Sequence, residues 1–301
     1  MHVEVTARAE LRFDDGTPVR AASAIAPLAD GWVIAQDDAT HAAWRRPGGT
    51  VAVRAFPPVG GHDTFSSAEG TKHLKPDVEA AVSIGDGVLL LGSGSSPARK
   101  RASLVRPDGA TTAYRTADLT PLYAAVADAL GVTAEQLNLE GACLVGGRLR
   151  WFQRGNAAAG VDSASVDIDP AALLAAVTGT GAATAVAVLA TCRYDLGTVG
   201  GVALAVTDAV ALPDGRILLS TAAEDTPNAY DDGPVVGAAL VLLDGGTTVA
   251  AAPLPPDGAV HHKVEGLALC GTGPGGTDVI AVVDADDPGR PSAELRLHVT
   301  W

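Results

Sequence analysis

A β-hairpin recurs along this chain at intervals of roughly 60 residues, and that recurrence limits the possible fold more than any single motif does. The clearest copy is Lys75-Pro-Asp-Val-Glu-Ala-Ala-Val-Ser-Ile-Gly-Asp-Gly-Val-Leu-Leu-Leu-Gly-Ser-Gly-Ser-Ser-Pro97. Val78, Ala80 and Val82 alternate with less apolar neighbours, Gly85-Asp-Gly87 supplies the turn, and residues 88 to 91 form an apolar return strand. Further hairpins start near residues 23, 140, 208 and 265. Such units cannot bury an apolar face alone and must stack on one another. The chain is therefore expected to be all-β, a β-propeller of five four-stranded blades around a central channel.

Strand bookkeeping also predicts how the ring closes. The last unit runs out after three strands, at residues 293 to 299, while residues 2 to 13 have no nearby partner because Asp14-Asp-Gly-Thr-Pro18 breaks the register. The N-terminal strand is thus expected to be the outer strand of the final blade. A six-bladed ring would require another hairpin in one of the long loops. Residues 1–301 read as a single domain with a helical insertion at 121–137, where Leu122, Val126, Leu130 and Leu137 recur at helical spacing. That insertion is a candidate cover for the channel mouth.

A formal charge of −14 argues against nucleic acid or an anionic membrane as partner, since polyphosphate surfaces need clustered Lys and Arg. The expected partner is a small-molecule ligand, and the expected state a monomer. Cys143, Cys192 and Cys270 show neither a disulfide framework nor a zinc spacing and read as packing residues. The first residues enter strand alternation directly, without the basic start and apolar core of a signal peptide, which gives a cytoplasmic expectation. Residues 170 to 192 carry no charge, but Thr178-Gly-Thr-Gly-Ala182 divides them into a short helix and a strand rather than a membrane span.

Aligned on their turns, the hairpins place Ser23, Glu79, Glu140, Asp208 and Glu265 together at the start of the innermost strand. Loops containing Gln36-Asp-Asp38, Gly92-Ser-Gly-Ser-Ser96, Gln153-Arg-Gly-Asn156, Ala223-Glu-Asp225 and Asp284-Ala-Asp-Asp287 are expected to rise at the same end. Carboxylates about 5 Å apart repel by roughly 3 kcal/mol at an effective dielectric near 20, so such a ring needs a cation, a proton or basic neighbours. An all-oxygen set, Glu79, Glu140, Asp208 and Glu265, favours a hard ion, calcium before magnesium. Salt bridges from Lys75, Arg99, Arg154 and Lys263 would neutralise it equally well. Unaccompanied acids working by proton transfer are the third possibility.

The starts Val78-Glu-Ala80, Leu139-Glu-Gly141 and Val264-Glu-Gly266, with the Gly92-Ser-Gly-Ser95 and Gln153-Arg-Gly-Asn156 loops, resemble the bacterial propellers named for an esterase-like activity of phytase. The resemblance spans most blades through short motifs. It implies a calcium-associated propeller with phosphoester or ester hydrolysis at an acidic mouth, carried over onto Glu79, Glu140 and Glu265 as catalytic acids. Lys75, Ser95, Arg99, Arg154, Asn156 and Lys263 are then the candidates for substrate binding. The chain departs from that pattern in its few aromatic residues and in Ser23. Two other functions stay open: a non-catalytic binding or scaffold propeller, and a glycoside hydrolase using paired carboxylates. Gly271-Thr-Gly-Pro-Gly-Gly276 spells a dinucleotide fingerprint, yet a strand follows it, so no helix N-terminus meets a pyrophosphate.

Overall fold

The computed structural model describes residues 1–224, 235–258, 260–285, 287 and 289–301. Among them the long strands form five four-stranded antiparallel sheets. Blade I comprises Ala22–Leu28, Gly31–Gln36, His41–Arg46 and Gly49–Arg54, from inside to outside. Blade II is Val78–Ile84, Gly87–Gly92, Arg101–Asp108 and Thr111–Asp118, and blade III is Leu139–Val145, Arg148–Gln153, Ser163–Ile168 and Val188–Tyr194. Blade IV contains Ala205–Ala211, Ile217–Glu224, Val235–Asp244 and Thr247–Pro253. In blade V, Val264–Gly273, Gly276–Val283 and Ala293–Thr300 are completed by the N-terminal strand His2–Glu10. Each innermost strand touches that of the next blade, and the fifth returns to the first. The molecule is a five-bladed β-propeller.

Closure follows the expected route. His2 pairs with Thr300 and Glu10 with Ala293, antiparallel, and Val3 is buried at 3% exposure between the last two blades' apolar side chains. An edge strand's open N–H and C=O groups are thereby paired instead of exposed. The middle strands read as nearly continuous apolar runs, such as Gly87–Gly92 and Val235–Asp244, because both of their faces pack against neighbouring blades.

The insertion between blades II and III folds as helix α1, Thr120–Leu130, ended by Gly131 in the left-handed region. Its Leu122, Tyr123 and Val126 pack with strand residues of blades II and III, and Tyr123 donates a hydrogen bond to the Gly92 carbonyl at 2.6 Å. No residue of α1 lines the cavity described below, so it supports the mouth from the side rather than covering it. The charge-free segment gives helix α2, Pro170–Thr178, capped by the Asp169 side chain, and then the outer strand of blade III. Among the described residues no helix is long and apolar enough to cross a membrane.

One irregularity repeats in all five blades. Between the first and second strands the register slips by a residue, at Ser23, Glu79, the Glu140-Gly141 pair, Thr207 and Glu265. A bulge of this kind twists the strand and re-aims the extra side chain. The bulges set the ring of side chains at the channel end.

Candidate functional site

The bulges correct the turn-based alignment in one blade. Thr207, not Asp208, is the blade IV counterpart of Glu79, Glu140 and Glu265. The blade IV turn holds residues 212 to 216 between the paired Ala211 and Ile217, whereas blades I to III turn through two residues, so counting back from the turn overshoots by one. Thr207 spends its hydroxyl on the Val264 carbonyl at 2.5 Å and on Ser220 Oγ at 2.9 Å. Asp208 is 2% exposed and accepts the Leu267 N–H at 2.6 Å. Burial pushes its pKa well above the usual carboxylate range.

Glu79, Glu140 and Glu265 line a single cavity of about 90 Å³ together with Ser23, Lys75, Arg99, Arg154 and Lys263. Asp37 and Asp284, from loops expected to rise at this end, line it too, as does Asp77, which the hairpin pattern does not single out. On one side Lys75 bridges two carboxylates, pairing with Asp37 and, at 2.6 Å, with Asp77 Oδ1. Arg99 Nη1 lies 2.8 Å from Asp77 Oδ2 and donates to Ser95 Oγ at 2.8 Å, while Ser93 Oγ also donates to Asp77. Asp77 is 2% exposed and takes φ of 53°, a conformation costly for a non-glycine residue. Its two cations and the Ser93 N–H on its own carbonyl hold it there.

Opposite, three blades meet through a second network. Arg154 Nη1 is 2.9 Å from Glu140 Oε1, and its Nη2 is 2.5 Å from Glu224 Oε2. Lys263 Nζ lies 3.0 Å from both Glu224 Oε1 and Glu265 Oε1. Asn138 Nδ2 donates to Glu140 at 2.9 Å, and Asn138 in turn is held by Gln153, whose Oε1 accepts its backbone N–H. Glu224 belongs to one of the loops expected at this end. Asp225 and Asp286, in the same expected loops, lie outside the described residues.

Glu79 stands between the two networks. Among the described residues no hydrogen bond or ion pair holds its carboxylate, and Lys75 acts on it only through space. Burial, then the charges of Asp77, Asp37 and Glu140, raise its pKa well above the usual range. Burial lifts Glu265 to about 8 against the pull of Lys263, and it lifts Glu140 against the pull of Arg154. Burial opposes the charge on Lys75, but Asp37, Asp77 and Glu79 outweigh it and raise its pKa. Asp38, flanked by Asp37 and partly compensated by Arg20, is pushed by burial to about 6.

The ring Glu79, Glu140, Asp208 and Glu265 does not converge to ligand distance. Among the described residues the carboxylates that do are Asp37, Asp77 and Glu79, with one oxygen of each within 4.8 Å of the others. Oxygens sharing a calcium ion at 2.3–2.6 Å lie at most about 5 Å apart, so this trio fits a hard cation. Ser95 stands behind Arg99 rather than in the cavity wall. Asn156 leaves the site altogether: its side chain caps a short turn by accepting the Ala159 N–H at 3.1 Å. His262 packs away from the cavity, 3.4 Å from Arg8 of the closing strand.

The profile of a family of unknown function (DUF6910) matches residues 71–288. No curated protein matches the chain in sequence. Among solved structures it is similar to a hypothetical protein from Leishmania major, at 12% identity and a TM-score of 0.48, covering 98% of this chain and 91% of the other. A putative glycosidase from Bacteroides thetaiotaomicron is similar at 12% identity and a TM-score of 0.46, over 97% and 92% of the two chains. A mannose phosphorylase from Leishmania mexicana, in complex with phosphate ion, is similar at 14% identity and a TM-score of 0.45, over 97% and 88%.

Proposed function

Because the chain belongs to DUF6910, a family of unknown function, we infer its role from the mouth alone: a metal-assisted hydrolase of a small polar ester or phosphoester. The observation that carries this reading is the Glu79 carboxylate, unpartnered among the described residues and within 4.8 Å of Asp37 and Asp77 oxygens. A calcium-type ion held by Asp37, Asp77 and Glu79 would supply a Lewis acid and lower the pKa of a bound water. Glu265, whose pKa burial lifts to about 8 against the pull of Lys263, lines the same cavity and would give its proton to the leaving oxygen. Water oxygen adds to the carbonyl carbon or phosphorus, the bond to the leaving oxygen breaks as Glu265 protonates it, and the proton released by the attacking water restores Glu265. Arg154 and Lys263 offset the charge of the surrounding acids.

A second reading draws on Lys75. Its ammonium already bridges Asp37 and Asp77, and a pocket with its own built-in cation binds a polar ligand without metal and without catalysis. The glycoside hydrolase expectation finds no aromatic side chain among the lining residues on which a sugar ring could stack.

Melting curves with chelator and with calcium separate the two. The hydrolase reading expects calcium to raise the melting temperature in proportion to the logarithm of its concentration above the dissociation constant, and expects Glu79→Gln to abolish that response. It further expects calcium-dependent cleavage of 4-nitrophenyl phosphate or acetate, lost in Glu265→Gln. A melting temperature indifferent to calcium would overturn the metal site and leave Lys75 as the cation of the pocket.

A further inference from the structure

At the opposite end of the ring, the turns closing the inner hairpins of blades IV and V frame a second cavity, of about 320 Å³. It is larger than the cavity at the mouth and falls within the usual range for small-molecule sites. Trp301 stands at its rim, 46% exposed. The Arg216 guanidinium lies over the indole, 4.6 Å from the ring centroid. Asp214 fixes that guanidinium, accepting from Nε at 2.8 Å and lying 2.6 Å from Nη2. The Nη1 group keeps its donors, with no partner among the described residues.

Two further features point to a ligand. Thr277 lines the cavity at 1% exposure, and its hydroxyl has no hydrogen-bond partner, a cost that a bound polar group would remove. Gly273 and Gly275 have nothing within 4 Å of where a Cβ would stand, so the wall there is bare backbone facing open space. The glycines of the Gly271-Thr-Gly-Pro-Gly-Gly276 run thus shape a cavity wall, although the run does not open a dinucleotide-binding helix.

We propose that this cavity is a binding site for a flat aromatic carboxylate. The half-exposed indole offers a π-face, the guanidinium held by Asp214 offers its Nη1 donors to a carboxylate, and Thr277 offers a buried hydroxyl to a ring heteroatom. Elsewhere the chain, with a formal charge of −14, repels such an anion, so recognition rests on Arg216.

Nicotinate and its neutral counterpart nicotinamide test the site by calorimetry on the full chain, supported by tryptophan fluorescence. Trp44 and Trp151 are buried at 3% and 0% exposure, and the half-buried Trp32 of blade I lies outside the cavity, so the quenching that Trp301→Leu removes is the signal of Trp301. Nicotinate is expected to bind with a dissociation constant of about 1 mM or lower, and nicotinamide about tenfold more weakly. Arg216→Gln should erase the preference for the acid, and Trp301→Leu should weaken both ligands. Both positions lie at the surface, and unchanged melting temperatures will show that the variants fold. No nicotinate binding at about 10 mM, or equal binding by wild type and both variants, would overturn the proposal.

Discussion

Arg154 of blade III reaches across the channel mouth to Glu224 of blade IV, placing Nη2 2.5 Å from Oε2. Glu224 simultaneously holds Lys263, which opens blade V, so one carboxylate links three blades. Its side chain is 3% exposed and those of its partners 14% and 10%. Removing one member of a buried ionic cluster leaves its partners charged and desolvated, which costs about 3–5 kcal/mol. Glu224→Gln is therefore expected to lower the unfolding free energy by about 3 kcal/mol in a denaturant titration. A change under about 0.5 kcal/mol would mean that solvent, not Glu224, neutralises Arg154 and Lys263.

The raised carboxyl groups make stability depend on pH. Glu265 titrates near 8 in the fold against 4.5 as an ordinary carboxyl, so the folded state binds a proton that the unfolded state has already lost between those values. Its contribution is complete below about 4.5 and is lost as the pH rises through about 8. Glu79 acts with the same sign. The melting temperature of the wild type is expected to fall between pH 5 and pH 8, and Glu265→Gln should flatten that slope. An unchanged slope in the variant would assign the pH dependence elsewhere.

Closure by the first strand predicts the effect of truncation. Residues 1 to 10 cover the edge of Ala293–Thr300, and their Val3 enters the core between blades IV and V. Deleting them is expected to expose a sheet edge and abolish the cooperative thermal transition or lower its midpoint by more than about 10 °C, seen by circular dichroism. A truncated protein melting with the full chain would disprove that the strand locks the ring.

Adjacent inner strands come closest at a glycine. A Cβ on Gly141 would stand 2.6 Å from the Asp208 Cα, and Gly141 has φ of 67°, so Gly141→Ala meets both a backbone clash and a strained dihedral. The expected loss is about 3 kcal/mol or more. Gly109 has φ of 61° with nothing within 4 Å, and the same replacement there isolates the dihedral cost, about 1 kcal/mol. Equal losses at the two positions would mean that blades III and IV can separate to admit a methyl group.

The propeller was legible because its determinants are local. Alternation, Gly-Asp and Gly-Gly turns, and the spacing of hairpins such as the one from Val78 to Gly92 operate within a few residues and repeat. The unpaired strand at the N-terminus and the missing one at the end of blade V pointed to each other for the same reason. So did the glutamates: Glu79, Glu140 and Glu265 share a position in the repeat, and the fold brings them into one cavity.

What tertiary structure alone decided was the chemistry between blades. Asp77 precedes its strand by one residue and becomes the centre of a charge network only because Lys75 and Arg99, on either side of the hairpin, fold back onto it. The hairpin period puts the Asp37 loop and Glu79 at the same end, but only the packing of one blade against the next brings their carboxylates, 42 residues apart in sequence, to within 4.8 Å. The bulge that puts Thr207 in the ring and withdraws Asp208 beneath it is a matter of hydrogen-bond register, invisible while the turn length is unknown. Sequence period determined which side chains face the channel; desolvation and the packing of one blade against the next decided which of them meet, which are paired, and that Glu79 is left with no ion-pair partner among the described residues.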